Sequence, residues 1–240
     1  MTRTLFQADS YLREFDAVVT GVDDTAGGVM LDQTAFYPGG GGQPCDLGLL
    51  SQQTVKAVRR SGAEILHLVG GELPEPGTML HGVLDWERRY NLMRTHTAMH
   101  ILCGVVFRDY GALVTGGAMD PLRGRMDFEF ARLERSLVSH IEMAVNAEIE
   151  AAREVRVRVL PKDEATQIPD LIRTKINLLP PEIQEVRVVE ISGLDVQADG
   201  GTHVKNTTEV GSMRIVDYKS KGSINKRIYV EIPVVPAGPR

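Results

Sequence analysis

Two short motifs hold the residue types best suited to chemistry. His96-Thr97-Ala98-Met99-His100 and Asp199-Gly200-Gly201-Thr202-His203 each place two metal-ligating side chains four residues apart, and the motifs lie about a hundred positions from each other. On a helix, residues i and i+4 share a face one turn apart, so His96 and His100 can chelate one ion through their imidazoles. Zn²⁺ suits imidazole ligands in a catalytic site that keeps an open coordination position. In the second motif the two glycines allow a tight turn, His203 projects from the loop, and Asp199 can bind the ion through a carboxylate oxygen or through water. An isolated His-x-x-x-His is more often a pair of ordinary helix histidines, and an Asp before two glycines is a common turn former. Their conjunction points to one tetrahedral site closed from two distant elements. Thr97 and Ala98 stand where a zincin helix would carry its glutamate base. Cys103 follows at i+7, about 10.5 Å along a helix axis, too far to share an ion with His96, and reads as a buried small residue. His67, His81 and His140 read as structural or surface residues.

The elements that must position these residues fall into two groups. The first 88 residues alternate short β-like runs (Ala17 to Val19, Val29 to Leu31, Val55 to Val58, Ile65 to Val69) with glycine and proline punctuation, including the Gly39 to Gly42 run. That pattern predicts a small β-barrel-like domain. From residue 89 to 240 the character is α+β. Asn91 to Tyr110 is a helix candidate ending at Gly111, and Leu133 to about Ala152 is a second. Val114, Met126 to Phe130, Val186 to Ile191, Met213 to Tyr218 and Ile228 to Ile232 read as strands. Val155 to Val159 alternates as a half-buried strand does.

At 240 residues, with 42% hydrophobic and 25% charged residues, the chain is an ordinary globular sequence. A net charge of −5 argues against general capture of nucleic acid, yet leaves room for a local basic patch. Segment 212–227 is such a patch: Arg214, Lys219, Lys221, Lys226 and Arg227 stand against one acid, Asp217. No signal peptide or membrane span is evident, and two cysteines make no disulfide framework, so the cytoplasm is the expected compartment.

Arg94 to Leu102, together with Gly200 to Val204 and Thr207, Glu209, Val210 and Gly211, resembles the editing domain of alanyl-tRNA synthetase. Thr34 to Pro44 resembles the glycine-rich motif of the same group, Val83 to Arg89 its domain junction, and Lys219 to Arg227 its basic C-terminal signature. The resemblance spans about residues 30 to 232 and leaves no room for an aminoacylation domain. It therefore implies a free-standing editing protein of the AlaX type, medium form.

Such a protein is a zinc-dependent aminoacyl-tRNA hydrolase with one Zn²⁺ per chain. Its partner is tRNA(Ala) carrying a wrong amino acid, chiefly serine and also glycine. The metal either activates a water or orients and polarises the ester carbonyl. His96, His100 and His203 are its implied ligands. Asp199 stands where the synthetase domains usually carry cysteine, so it ligates directly, or leaves that position to solvent, or lowers the affinity for the metal. Sparing alanine while accepting serine requires a hydrogen bond to the extra hydroxyl. Thr115, Thr34 and Gln43 are candidates for that bond, each with a turn or capping role as the plain alternative. Gly41, Gly42, Gly201 and Thr202 complete the candidate substrate site. No Gly-Lys-Ser/Thr follows the glycine run, so it is not a phosphate loop. Lys219, Lys221, Lys226 and Arg227 are the candidate tRNA contacts. The competing readings are editing of a different tRNA, a tRNA-binding module with reduced catalysis, and an unrelated metallohydrolase of small esters. Oligomeric state is left open.

Overall fold

A computed structural model describes residues 1–169, 171 and 183–234. The chain divides into two compact units, residues 1–90 and 91–240.

The first unit opens with β1 (Arg3–Thr4), a short helix α1 (Leu5–Ala8), β2 (Glu14–Asp23), β3 (Gly28–Leu31) and β4 (Gln33–Thr34). It continues with β5 (Gly48–Leu50), β6 (Gln53–Ser61), β7 (Glu64–Val69) and β8 (Met79–Leu84). Six strands close in the order β2-β3-β7-β6-β5-β8, and β1 pairs in parallel with β4. Period-2 alternation explains the inside: Phe15, Ala17 and Val19 of β2 are buried, and their neighbours Asp16 and Glu14 are exposed. They meet Val29, Leu31, Val55, Val58, Ile65, Val69, Leu80 and Leu84 around Phe6 and Phe36. The Phe15 ring lies across the strand over Gly82, its register partner, where an added Cβ would stand 2.4 Å from the ring.

Gly39, Gly40, Gly41 and Gly42 all take positive φ (82°, 132°, 56° and 87°), which other residues adopt only under strain. Gly40 and Gln43 exchange backbone hydrogen bonds of 3.0 and 2.9 Å across this loop. Its flanks are tied by Asp46, whose carboxylate accepts from the Tyr37 N–H at 2.6 Å and pairs with the fully buried Arg89. The Arg89 guanidinium also donates to the Ala35 and Ser10 carbonyls.

The long helix α2 (Trp86–Tyr110) starts in the first unit and gives most of its length to the second. It starts five residues before the expected Asn91. Asp85 supplies the reason: its carboxylate accepts from the Arg88 N–H at 3.1 Å and its carbonyl from the Arg89 N–H at 3.0 Å, capping an earlier first turn.

The second unit continues with β9 (Val114–Asp120), β10 (Arg123–Glu129), α3 (Arg135–Glu150), β11 (Val155–Pro161) and a short helix α4 (Lys162–Ala165). After these come β12 (Glu185–Ile191), β13 (Asp195–Ala198), a 3₁₀ turn (Thr207–Val210), β14 (Arg214–Ser220) and β15 (Asn225–Glu231). Two antiparallel sheets result, one ordered β14-β15-β10-β9 and one ordered β11-β12-β13. The molecule is thus a mixed, α+β protein. From Leu92 to Val106 every residue of α2 is buried, so the helix lies inside the unit rather than on its surface. Two glycines mark where the sheets close on it: Gly124 of β10 meets the Met99 sulfur, and Gly104 of α2 meets Leu194 and Asp195 at the entry to β13. Among the described residues no helix is long and apolar enough to cross a membrane.

One strand departs from expectation. The alternating run of β11 is not half-buried: of residues 155–159 only Val155 is covered, while Val157 and Val159 are 41% and 55% exposed. The strand is the outer member of a three-stranded sheet, and its packing falls at its ends, on Val155 and on Leu160, rather than along the face that carries Val157 and Val159.

His67 of β7 makes the first unit acid-sensitive. Its ring is fully buried, Nδ1 lies 3.3 Å from the Val29 carbonyl, and Nε2 lies 2.8 Å from the Thr34 hydroxyl. Burial, opposed by the Val29 bond, pushes its pKa down to about 4. The unfolded chain titrates near 6.5 and so takes up the proton first as pH falls. The resulting stability, of order 3 kcal/mol, is therefore present above about pH 6.5 and lost as pH falls toward 4. Urea unfolding followed by the fluorescence of Trp86, the single tryptophan, reads this unit. Its midpoint should drop across that window, and His67→Gln should flatten the drop; an unaltered pH slope in the variant would show that other groups carry it.

Candidate metal centre

Four side chains from two places in the second unit converge. α2 presents His96 and His100 on one face, and the loop after β13 brings Asp199 and His203 to them. One ligand atom from each of the four lies within 4.8 Å of the others. The His96 and His203 rings stack with centroids 4.2 Å apart, and His100 stands edge-on to His203 at 4.7 Å and to His96 at 5.1 Å. Asp199 Oδ2 is 3.0 Å from His203 Nε2, and Oδ1 is 3.6 Å from His96 Nε2. Cys103 is buried and outside this group.

The loop holds its carboxylate from several sides. The Gly201 N–H donates to Asp199 Oδ2 at 2.7 Å, which is what the glycine loop contributes locally. Arg187 of β12 donates to the Asp199 carbonyl at 2.9 Å and brings a positive charge 3.9 Å from Oδ2. Thr202 is fully buried beside them. On the helix side, Thr97 Oγ1 lies 3.2 Å from His203 Nδ1 and accepts from the Val204 N–H at 3.3 Å. Thr97, Arg187, Asp195 and Gln197 were not singled out from the sequence. Only their neighbourhood to the motifs hinted at them, since Thr97 lies inside one and Asp195 and Gln197 just before the other.

At His96, His203 and Asp199 electrostatics favour the forms that bind a cation. Burial drives His96 well below the ordinary histidine value and His203 down to about 4, outweighing the Asp199 charge beside each. For Asp199, burial works against the charged form, but the adjoining imidazoles, His96 first, and the His203 hydrogen bond outweigh it and hold the carboxyl well below the usual range. For His100, burial again lowers the pKa, yet the Asp195 hydrogen bond and charge reverse the balance and the net shift is upward. Three imidazoles and an ionised carboxylate, all from sheltered positions, form a donor set that fits Zn²⁺.

The other candidate residues lie elsewhere in their units. Thr115 is exposed on β9 and its hydroxyl donates to Asn225 Oδ1 at 3.0 Å. Thr34 is fully buried, contacts His67 and accepts from the Phe36 N–H at 3.1 Å. Gln43 is 2% exposed in the loop that carries Gly41 and Gly42. In the β14–β15 hairpin the basic residues differ. Lys226 is buried and donates to the Gly222 and Ser223 carbonyls at 2.7 and 2.8 Å. Arg227 makes a two-pronged pair with Asp127 at 2.6 and 2.7 Å. Lys219 is exposed, 3.0 Å from Asp217 and over the Tyr229 ring, and Lys221 is exposed at the turn.

The role of Asp199 is directly measurable. Asp199→Ala should weaken Zn²⁺ binding by at least tenfold, about 1.4 kcal/mol, in competition with a chromophoric chelator. Asp199→Cys, which substitutes a softer thiolate, should bind at least as tightly as wild type. Equal affinity for wild type and Asp199→Ala would assign the fourth position to solvent.

Residues 186–229, which carry β12, β13, Asp199, His203 and most of the basic hairpin, match the family described as threonyl and alanyl tRNA synthetase second additional domain. The chain is 39% identical to the alanyl-tRNA editing protein AlaX-M of Saccharolobus solfataricus, over 97% of this chain and 99% of that protein. It is 36% identical to the AlaX-M protein of Methanosarcina barkeri over 95% and 98% of the two chains. It also matches the alanine–tRNA ligase of Pyrobaculum aerophilum at 39% identity, covering 89% of this chain but 25% of the ligase. With this identity sustained along both whole chains, the protein belongs to the AlaX-M family of alanyl-tRNA editing proteins.

Proposed function

We propose that the protein is a trans-editing hydrolase that deacylates tRNA(Ala) carrying a wrong amino acid, chiefly seryl-tRNA(Ala) and also glycyl-tRNA(Ala). The observation that carries this reading is the cluster of three buried histidines, His96, His100 and His203, with Asp199 at its partly open side, in a chain that matches an AlaX-M protein over nearly its whole length. These four residues would hold one Zn²⁺. When bound, it would supply Lewis acidity for a water or for the ester carbonyl.

The chain's own residues define the rest. His96 and His203 are neutral and Asp199 ionised, so the donor atoms are ready without prior loss of a proton there. The three imidazole side chains are at most 8% exposed and Asp199 14%, so the ester approaches from the Asp199 side into a site that excludes bulk water. An aminoacyl ester is already activated, so little beyond positioning and charge stabilisation is required. Serine is told from alanine by a hydrogen bond to its hydroxyl, for which Thr115, Thr34 and Gln43 are the candidates, with Gly41, Gly42, Gly201 and Thr202 completing the candidate substrate site. Lys219 and Lys221 are the first cations to meet tRNA phosphates, and Lys226 and Arg227 hold the hairpin that presents them.

The decisive assay compares hydrolysis of seryl-, glycyl- and alanyl-tRNA(Ala). Wild type should cleave the first two and spare the third, and His100→Ala should lose at least about 100-fold, more than the 10–100-fold typical of removing a group behind a ligand. Wild-type rates that survive complete chelation would sink the metal-dependent reading. In a companion binding experiment, replacing Lys219 and Lys221 with alanine should shallow the plot of log affinity against log salt by about 0.7–0.9 per lost phosphate contact. A small-ester hydrolase would keep its activity and show no such slope.

A further inference from the structure

Asp195 is a buried carboxylate that the four candidate ligands leave unexplained. It opens β13, its side chain is wholly inaccessible, and Oδ2 lies 3.0 Å from His100 Nδ1. Gln197, two residues along the same strand, donates to that oxygen at 2.7 Å and sets its orientation. A buried carboxylate is costly unless its hydrogen bonds are specific, so its retention beside a histidine calls for a role.

The helix is shaped to receive it. Gly104 lies four residues after His100 and therefore on the same face of α2. A Cβ at that position would stand 2.9 Å from Leu194 Cγ, 3.1 Å from the Leu194 carbonyl oxygen and 3.1 Å from Asp195 Cβ. Glycine inside a helix costs about 1 kcal/mol relative to alanine. Here it opens the space into which the Leu194-Asp195 segment settles.

We propose that Asp195, seated against Gly104, is a positioning residue for the metal centre. It accepts the Nδ1–H of His100, fixes that ring and its tautomer, and leaves Nε2 as the donor atom. This rests on the metal-centre reading given above. A carboxylate behind the ring also makes His100 a stronger ligand than a neutral partner would. His203 has the neutral version of the device, with the Thr97 hydroxyl at its Nδ1.

Chelator competition for Zn²⁺ tests this without recourse to activity. Asp195→Ala should bind Zn²⁺ about 10- to 100-fold more weakly than wild type. Asp195→Asn, which keeps a carbonyl acceptor but not the charge, should fall between the two. Gly104→Ala leaves every ligand and the carboxylate in the sequence but displaces Asp195, and should weaken binding in the same direction. Imidazole ¹⁵N shifts of the metal-free protein at alkaline pH provide a readout that a merely structural residue would not move. His100 should carry its proton on Nδ1 in wild type and divide between tautomers in Asp195→Ala. Wild type that takes up no zinc overturns the metal-centre reading and this proposal with it. Wild type that binds zinc while Asp195→Ala binds within twofold of it, or keeps the same His100 tautomer, overturns the role of Asp195 alone.

Discussion

A carboxylate held among three buried imidazoles is the constraint around which the second unit is organised. Left unpaired in a low-dielectric interior, the Asp199 charge would cost many kcal/mol, and its pKa would rise instead of falling. It stays ionised because the Gly201 N–H, Arg187 and the histidines surround it. Those partners come from a loop, a strand and a helix, so each element's position is set by the same charge. The helix must then be inside, because His96 and His100 are covered only if packing reaches the faces of α2 on either side of them. The close approaches at Gly124 and Gly104 are what that covering looks like in side-chain terms.

This explains why α2 lacks the one-sided apolar stripe of a surface helix. Arg94, Thr95, His96, Thr97 and His100 are buried along with Leu92 and Ile101. Each polar side chain in such a helix needs a partner. Arg94 donates to the Glu209, Val210 and Pro233 carbonyls, Thr95 to the Asn91 carbonyl, and Thr97 contacts His203. Several of these bonds tie the helix to the segment that follows His203, so the polar residues of α2 both serve the site and anchor the chain that completes it.

What could be read from the sequence follows the range of each interaction. His96 and His100 were legible because helical spacing is local, and the glycines around Asp199 because tight turns are local. That the two motifs meet rests on their conjunction and on resemblance, since no local rule joins residues a hundred positions apart. Asp195 and Gln197 could not be found in that way: their meaning depends on the β12–β13 register, which pairs Ile191 with Asp195 and so turns the chain toward Gly104. The helix start is encoded in Asp85, a capping residue that lies ahead of the apolar pattern beginning at Leu92. β11 failed for a different reason, because alternation separates two faces of a strand without saying whether anything covers them.

The basic segment shows the same limit in its charges. Five cations against one acid read as a single electrostatic patch, but pairing between strands divides them. Register places Arg227 opposite Asp127, so its charge is neutralised within the sheet. Lys226 folds back on the carbonyls of its own turn, which shortens and stiffens the hairpin instead of extending the patch. Exposed charge is then carried by Arg214 and Lys219 on β14 and by Lys221 at the turn, with Asp217 offsetting part of it at Lys219. Surface pairs of this kind contribute little to stability and are readily exchanged for another anion. A phosphate that displaces Asp217 from Lys219 therefore gives up almost nothing, whereas one competing for Arg227 must break a sheltered two-pronged pair. The hairpin thus separates the cations that build it from those it can offer.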